Sequence, residues 1–186
     1  MIRKNVISES LIVVGVIGFV SIVVYLQAIQ KDYNPLQQQM SELALGKHGS
    51  LMLIAFSCYA AAIFGLQSAL RPDRPPVALK AILITSSMCM LGGGIFRLDT
   101  ATDLHIVLVT LAFILLILVM VLIPMAMQRF DSPKVKSISW GAGLGTAASV
   151  ALSQGVVPLG VGQRLAALSV SLWLLWFGVH LYRRKR

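Results

Sequence analysis

Six runs of about 20 apolar residues, strung along a chain of 186, leave this sequence little choice of fold. They cover roughly 10–29, 49–70, 77–96, 104–127, 138–157 and 165–182. In lipid, each backbone N–H and C=O must find a partner inside its own segment, so runs of this length become helices. Composition agrees: 57% of the residues are hydrophobic and only 12% charged, about half the charged share of a soluble domain. The chain therefore reads as a single all-α domain over residues 1–186, a polytopic membrane protein built as a bundle of six transmembrane helices. The fifth run, ISWGAGLGTAASVALSQGVV, carries the weakest signal because it is rich in Gly, Ala and Ser. The first is longer than a signal-peptide core, and VVYLQAIQ lacks a small-x-small cleavage pattern, so it reads as a retained span. Cys58 and Cys89 fall mid-span and read as small, soft packing residues.

The net charge of +9 does not call for nucleic acid, because the basic residues alternate by loop. Arg3, Lys4, Arg71, Arg74, Lys80, Arg129, Lys134, Lys136 and the terminal Arg183, Arg184, Lys185 and Arg186 fall on one side. Only Lys31, Lys47, Arg97 and Arg164 fall on the other. The positive-inside rule then places both termini in the cytoplasm, as in a prokaryotic inner membrane, and the basic side meets anionic lipid. Polar chemistry gathers on the opposite, outer face.

The most polar stretch there is YNPLQQQMSELALGKHG, between the first two spans. Asn34 as N-cap, Pro35 at the first helical position, Gln37 as capping-box partner and Gly46 as stop predict an interfacial helix over 35–45. Leu36, Met40 and Leu43 would form its apolar stripe, leaving Ser41 and Glu42 for a neighbour or for water. His48 follows at the start of the second span. The next outer loop brings Arg97, Asp99, Asp103 and, heading the fourth span, His105; the last brings Gln163 and Arg164.

Convergence of His48, His105, Asp99 and Asp103 would suit zinc, which accepts imidazole nitrogen and carboxylate oxygen. The spacing carries no HExxH or CxxC signature. Haem is disfavoured, since His48 and His105 sit too near the surface to enclose a porphyrin. Arg97 and Arg164 either pin helix ends by ion pairs or offer a planar fork to an anionic headgroup. His180, near the cytoplasmic end, reads as an interfacial anchor. The spans hold hardly an ionisable group, which disfavours a pump or an ion-coupled transporter. Thr110, Ser149, Ser153 and Gln154 read as packing polar residues, and GGG at 92–94 and GAGLG at 141–145 as close helix approaches. Pro124 is expected to kink the fourth span near its inner end.

YNPLQQQMSEL, GGGIFRLDTATDLH and GQRLAALSVSLWLLW, in that order, resemble the bacterial and archaeal membrane family known as domain of unknown function 998. The resemblance spans nearly the whole chain. It implies about six spans and a set of outer-face positions: Ser41, Glu42, Asp99, His105, Gln163 and Arg164. It brings no activity with it. Membrane hydrolases of the alkaline ceramidase and adiponectin receptor type are similar in combining Ser, Asp and His at one membrane face. This chain departs from them in lacking a His-x-x-x-His pair in its last span and in being one span short.

Three functions follow as expectations. In the first, an outer-face site holds a lipid or small amphiphile through Arg97, Asp99, Gln163, Arg164, Ser41 and Glu42. In the second, the protein is an accessory subunit packed on a larger membrane complex. In the third, it is a metal-dependent lipid hydrolase drawing its catalytic groups from Ser41, Glu42, Asp99 and His105.

Overall fold

A computed structural model describes residues 3–183. Among these there are six α-helices and three short 3-10 turns, with no strand. The helices are α1 (Arg3–Ile29), α2 (Leu51–Leu70), α3 (Val77–Ile95), α4 (Thr102–Ala126), α5 (Pro133–Leu152) and α6 (Leu159–Arg183). Each packs on the next, α6 closes back onto α1, and α2 reaches α6 across the middle. The side chains of Arg3 and Lys4, together with Arg184, Lys185 and Arg186, lie outside the described residues.

All but α5 are long and apolar enough to cross a membrane, so the protein is an all-α polytopic membrane protein. Helix α5 matches α2 in length at 20 residues, but its small residues keep its hydropathy low. It is held to its neighbours by polar contacts instead. The indole N–H of Trp173 donates to Ser139 Oγ at 3.0 Å, and Ser169 Oγ donates to the Ala142 carbonyl at 3.0 Å.

Three helices depart from the apolar windows, and the first of them, α1, begins at Arg3, well ahead of the run over 10–29. Helix α5 starts at Pro133 because Ser132 caps it, its Oγ accepting from Val135 N–H, and it stops at Leu152. Helix α6 starts at Leu159, directly after Pro158, so Gln163 and Arg164 lie inside its opening turns and not in a preceding loop. Pro124 falls in the last turn of α4, which ends two residues later.

Close approaches are made by some of the expected glycines and by others besides. A Cβ on Gly93 would lie 2.6 Å from Val109 Cγ2, and one on Gly94 2.7 Å from Phe56 Cβ, so the triple glycine seats α3 against α4 and α2. The GAGLG stretch of α5 is looser: nothing lies within 4 Å of a Cβ on Gly141, and a Cβ on Gly143 or Gly145 would make only ordinary contact, 3.5 Å from Met120 Cβ and 3.6 Å from Ser169 Oγ. Gly15 of α1 approaches α2 more closely: a Cβ there would lie 2.4 Å from the Cys58 carbonyl oxygen. Both cysteines are free. At the terminal end of the bundle His180 stacks on Trp176, ring centroids 5.4 Å apart, and Arg129 pairs with the largely buried Asp73 carboxylate to join two connections. The carboxylate of Glu9, in α1, is also buried, an ionisable group that an apolar reading of this span passes over.

Candidate functional site

The segment after α1 is not the expected helix over 35–45. Asn34 does cap, but what it caps is a turn: its Oδ1 accepts from Leu36 N–H at 3.0 Å, and the chain bends away again by Gln39. A 3-10 turn then runs over Met40–Leu45 and ends at Gly46, as foreseen. Its capping partner is Glu42, whose Oε1 accepts from Gln39 N–H at 2.8 Å, rather than Gln37. Met40 and Leu43 are buried, but Leu36 is exposed and Ser41 points inward at 2% exposure. Ser41 Oγ donates to Gln39 Oε1 at 3.3 Å, and the second oxygen of Glu42 accepts from Gln38 Nε2 at 3.0 Å.

The segment is irregular because its backbone groups are taken by α6 and by Tyr33. The Tyr33 hydroxyl donates to the Gln39 carbonyl at 2.9 Å and accepts from Arg164 Nη2. Arg164 Nη1 donates to the carbonyls of Gln38 at 3.1 Å and Gly160 at 2.9 Å, and the guanidinium lies 5.5 Å from the centre of the Tyr33 ring. Burial pushes the Tyr33 phenol above its ordinary value, with Arg164 pulling the other way. Met40 N–H donates to Gln163 Oε1 at 2.6 Å. Gly160 makes the approach possible, since a Cβ there would lie 2.5 to 2.8 Å from the carbonyls of Gln38, Pro35 and Leu36. Arg164 is therefore a strut from α6 to the loop and has no acidic partner among the described residues. Arg97 does have one: it pairs with Asp99 at 3.0 Å on an exposed surface and donates to the Ala44 carbonyl.

His105 is the buried polar centre of this end, at 3% exposure. Its Nδ1 lies 2.8 Å from the carbonyls of both Gly93 and Phe96, left open where α3 ends. Two carbonyl acceptors require a hydrogen on Nδ1, and in the neutral ring Nε2 then carries the lone pair. No described protein group bonds to Nε2. His105 lines a cavity of about 320 Å³ between α4, the end of α5 and the start of α6. Ile106, Val109, Phe113, Ile114 and Ile117 form its apolar wall, while Gln39, Gln163 and Gln154 stand among its polar groups. Ile106, Ile114 and Leu159 at its mouth are exposed, so it opens sideways toward lipid. A second hollow, of about 210 Å³, meets His105 from the α2–α3 side and reaches Ser41 and Arg97.

The expected residues thus divide. Ser41, His105 and Gln163 face cavities, and Glu42 and Arg164 hold the loop that covers them. Asp99 and Arg97 pair at the surface, and Asp103 is exposed in the first turn of α4. His48 does not open α2; it is exposed in the preceding turn with a left-handed backbone, φ 57°. His48, Asp99, Asp103 and His105 do not converge as a ligand set: the described residues contain no group of three His, Cys, Asp or Glu side chains placed to hold a metal ion. Gln39, Thr110, Ser153 and Gln154 line the main cavity and were not singled out for it by the sequence; for Ser153 and Gln154 it is the position of α5's end that reveals them.

No curated protein and no solved structure matches this chain. The sequence profile of the family described as protein of unknown function (DUF998) does match, over residues 13–180, which takes in all six helices, His105, and the Gln163–Arg164 pair. The chain belongs to the DUF998 family.

Proposed function

We propose that the protein binds a lipid or small amphiphile in the cavity between α4, α5 and α6. The observation that carries this reading is the cavity's make-up: a long apolar wall open to the bilayer, ending at His105 and Gln163 beneath the 33–45 loop. At about 320 Å³ it falls at the small end of the range for ligand sites, room for a head and the first part of a chain. The head would sit under the loop that Arg164 and Tyr33 fasten to α6.

In the same proposal α5 completes six crossings. Both termini then share the side that carries Arg71, Arg74, Lys134 and Lys136, the cytoplasm by charge bias, and the site faces outward in a prokaryotic inner membrane.

Native mass spectrometry of protein released from mild detergent tests the site. The wild type should retain a bound amphiphile, and Ile114→Trp, which builds an indole into the mouth, should lose most of it at unchanged thermal stability. Equal retention by the two proteins would place the bound molecule elsewhere and refute the proposal.

A further inference from the structure

The polar end of this cavity is chemically particular. Apart from His105, none of its lining residues is ionisable; Arg164 is not among them, and both its Nη groups are held by Tyr33, Gln38 and Gly160, leaving only the buried Nε unpaired. A carboxylate or phosphate brought here would leave water for a wall whose one chargeable group is His105, and the neutral ring would meet it with the Nε2 lone pair. An ammonium offers donors only, and would face the amide N–H of Gln163. That amide is oriented: its oxygen accepts from Met40 N–H, so the nitrogen is left as a donor at the cavity wall. The protein thus presents an imidazole acceptor and an amide donor in one small, mostly apolar space.

We infer that the group held at this end is the free hydroxyl of a neutral amphiphile, as in a long-chain alcohol or an acylglycerol, donating to His105 Nε2 and accepting from Gln163 Nε2. A hydroxyl is the smallest group that donates and accepts at once, and it carries no charge into the cavity. The inference rests on the amphiphile site proposed above and specifies the head that the site selects. It differs from the anionic headgroup expected of Arg97 and Arg164: neither lines this cavity, and Arg97 lines the second hollow instead.

The test is competition in detergent-purified full-length protein against a photoreactive long-chain alcohol that labels the cavity. The competitors share one chain and end in a hydroxyl, its methyl ether, a carboxylate or an ammonium. The alcohol should compete about tenfold better than the other three, because a site built to hydrogen-bond a hydroxyl leaves its own groups unpaired with any analogue. His105→Asn keeps an N–H for the Gly93 and Phe96 carbonyls and removes Nε2. It should erase the preference for alcohol over ether. Gln163→Glu keeps the oxygen that Met40 N–H needs and removes the amide donor, and should weaken alcohol binding about fivefold or more through a different helix. If carboxylate or ammonium competes as well as the alcohol, or both variants keep the full preference, the hydroxyl assignment is wrong while the site stands. If no member of the series reduces labelling, and Ile114→Trp leaves it unchanged, the site itself is wrong.

Discussion

Replacing Arg164 with alanine should destabilise the protein by about 2–4 kcal/mol, and the figure follows from what the guanidinium holds. It donates to the Gln38 carbonyl at 3.1 Å and to the Tyr33 hydroxyl, both across the junction of loop and α6, and it lies 5.5 Å from the Tyr33 ring centre. Hydrogen bonds from a charged donor are worth about 1.5–3 kcal/mol each when well buried. Arg164 is only partly buried, so about 1 kcal/mol apiece is the fairer figure, with about 0.5–1 kcal/mol for the cation–π contact. Its bond to Gly160 lies within the helix and adds little. Tyr33 keeps its bond to Gln39 O and is not orphaned, which bounds the loss from above. Lys134 is the control: it is exposed, has no hydrogen bond or ion pair among the described residues, and should cost within about 0.5 kcal/mol when changed to alanine. Thermal unfolding followed by circular dichroism in one detergent should show Arg164→Ala lower by at least about 5 °C and Lys134→Ala unchanged. Arg164→Lys should fall between them, because an ammonium cannot span both acceptors. Equal melting temperatures for the Arg164 and Lys134 variants would refute the strut.

Gly160→Ala should cost about 1–3 kcal/mol, as its Cβ meets three backbone carbonyls that cannot rotate away; Gly141→Ala, with nothing within 4 Å, should be neutral or slightly stabilising, and the same melts decide both. The Tyr33 phenol, raised above 10.0 chiefly by burial, contributes stability that is whole below pH 10 and is lost as pH climbs through the higher folded value. Phenolate absorbance of the wild type minus that of Tyr33→Phe should therefore titrate above pH 10; a midpoint below 10 would contradict the burial of that hydroxyl.

The helices were legible because lipid demands long apolar segments whatever their order, and α2, α3 and α4 fall within two residues of their hydropathy windows. Besides the start of α1, what hydropathy misplaced were α5 and α6, whose starts are set by Ser132–Pro133 and Pro158, local signals that an average over 20 residues dilutes. That shift matters for the site. It moves Gln163 and Arg164 from a loop onto a rigid helix and opens the space that Ser153 and Gln154 line. The 33–45 segment misled for a different reason. Its caps and apolar spacing suit a helix, but Tyr33, Arg164 and Gln163, the last two more than a hundred residues away, claim backbone groups that an α-helix would need. Such a competition is tertiary and leaves no local trace. Ser41, Glu42, His105, Gln163 and Arg164 were all singled out from sequence, yet their division between cavity and strut depends on side-chain direction. For His105 the sequence offers a position, and only the free carbonyls at the end of α3 determine which ring nitrogen faces the cavity.

Whether an amphiphile sits in the hollow between α4, α5 and α6 is read by photolabelling of the detergent-purified protein with a diazirine-bearing long-chain alcohol, followed by peptide mapping of the adducts. Adducts should concentrate on Ile106, Ile114 and Leu159 and be lost when excess unlabelled alcohol is added. Adducts spread over lipid-facing residues such as Val14, Val20 and Ile84, and indifferent to competitor, would contradict it.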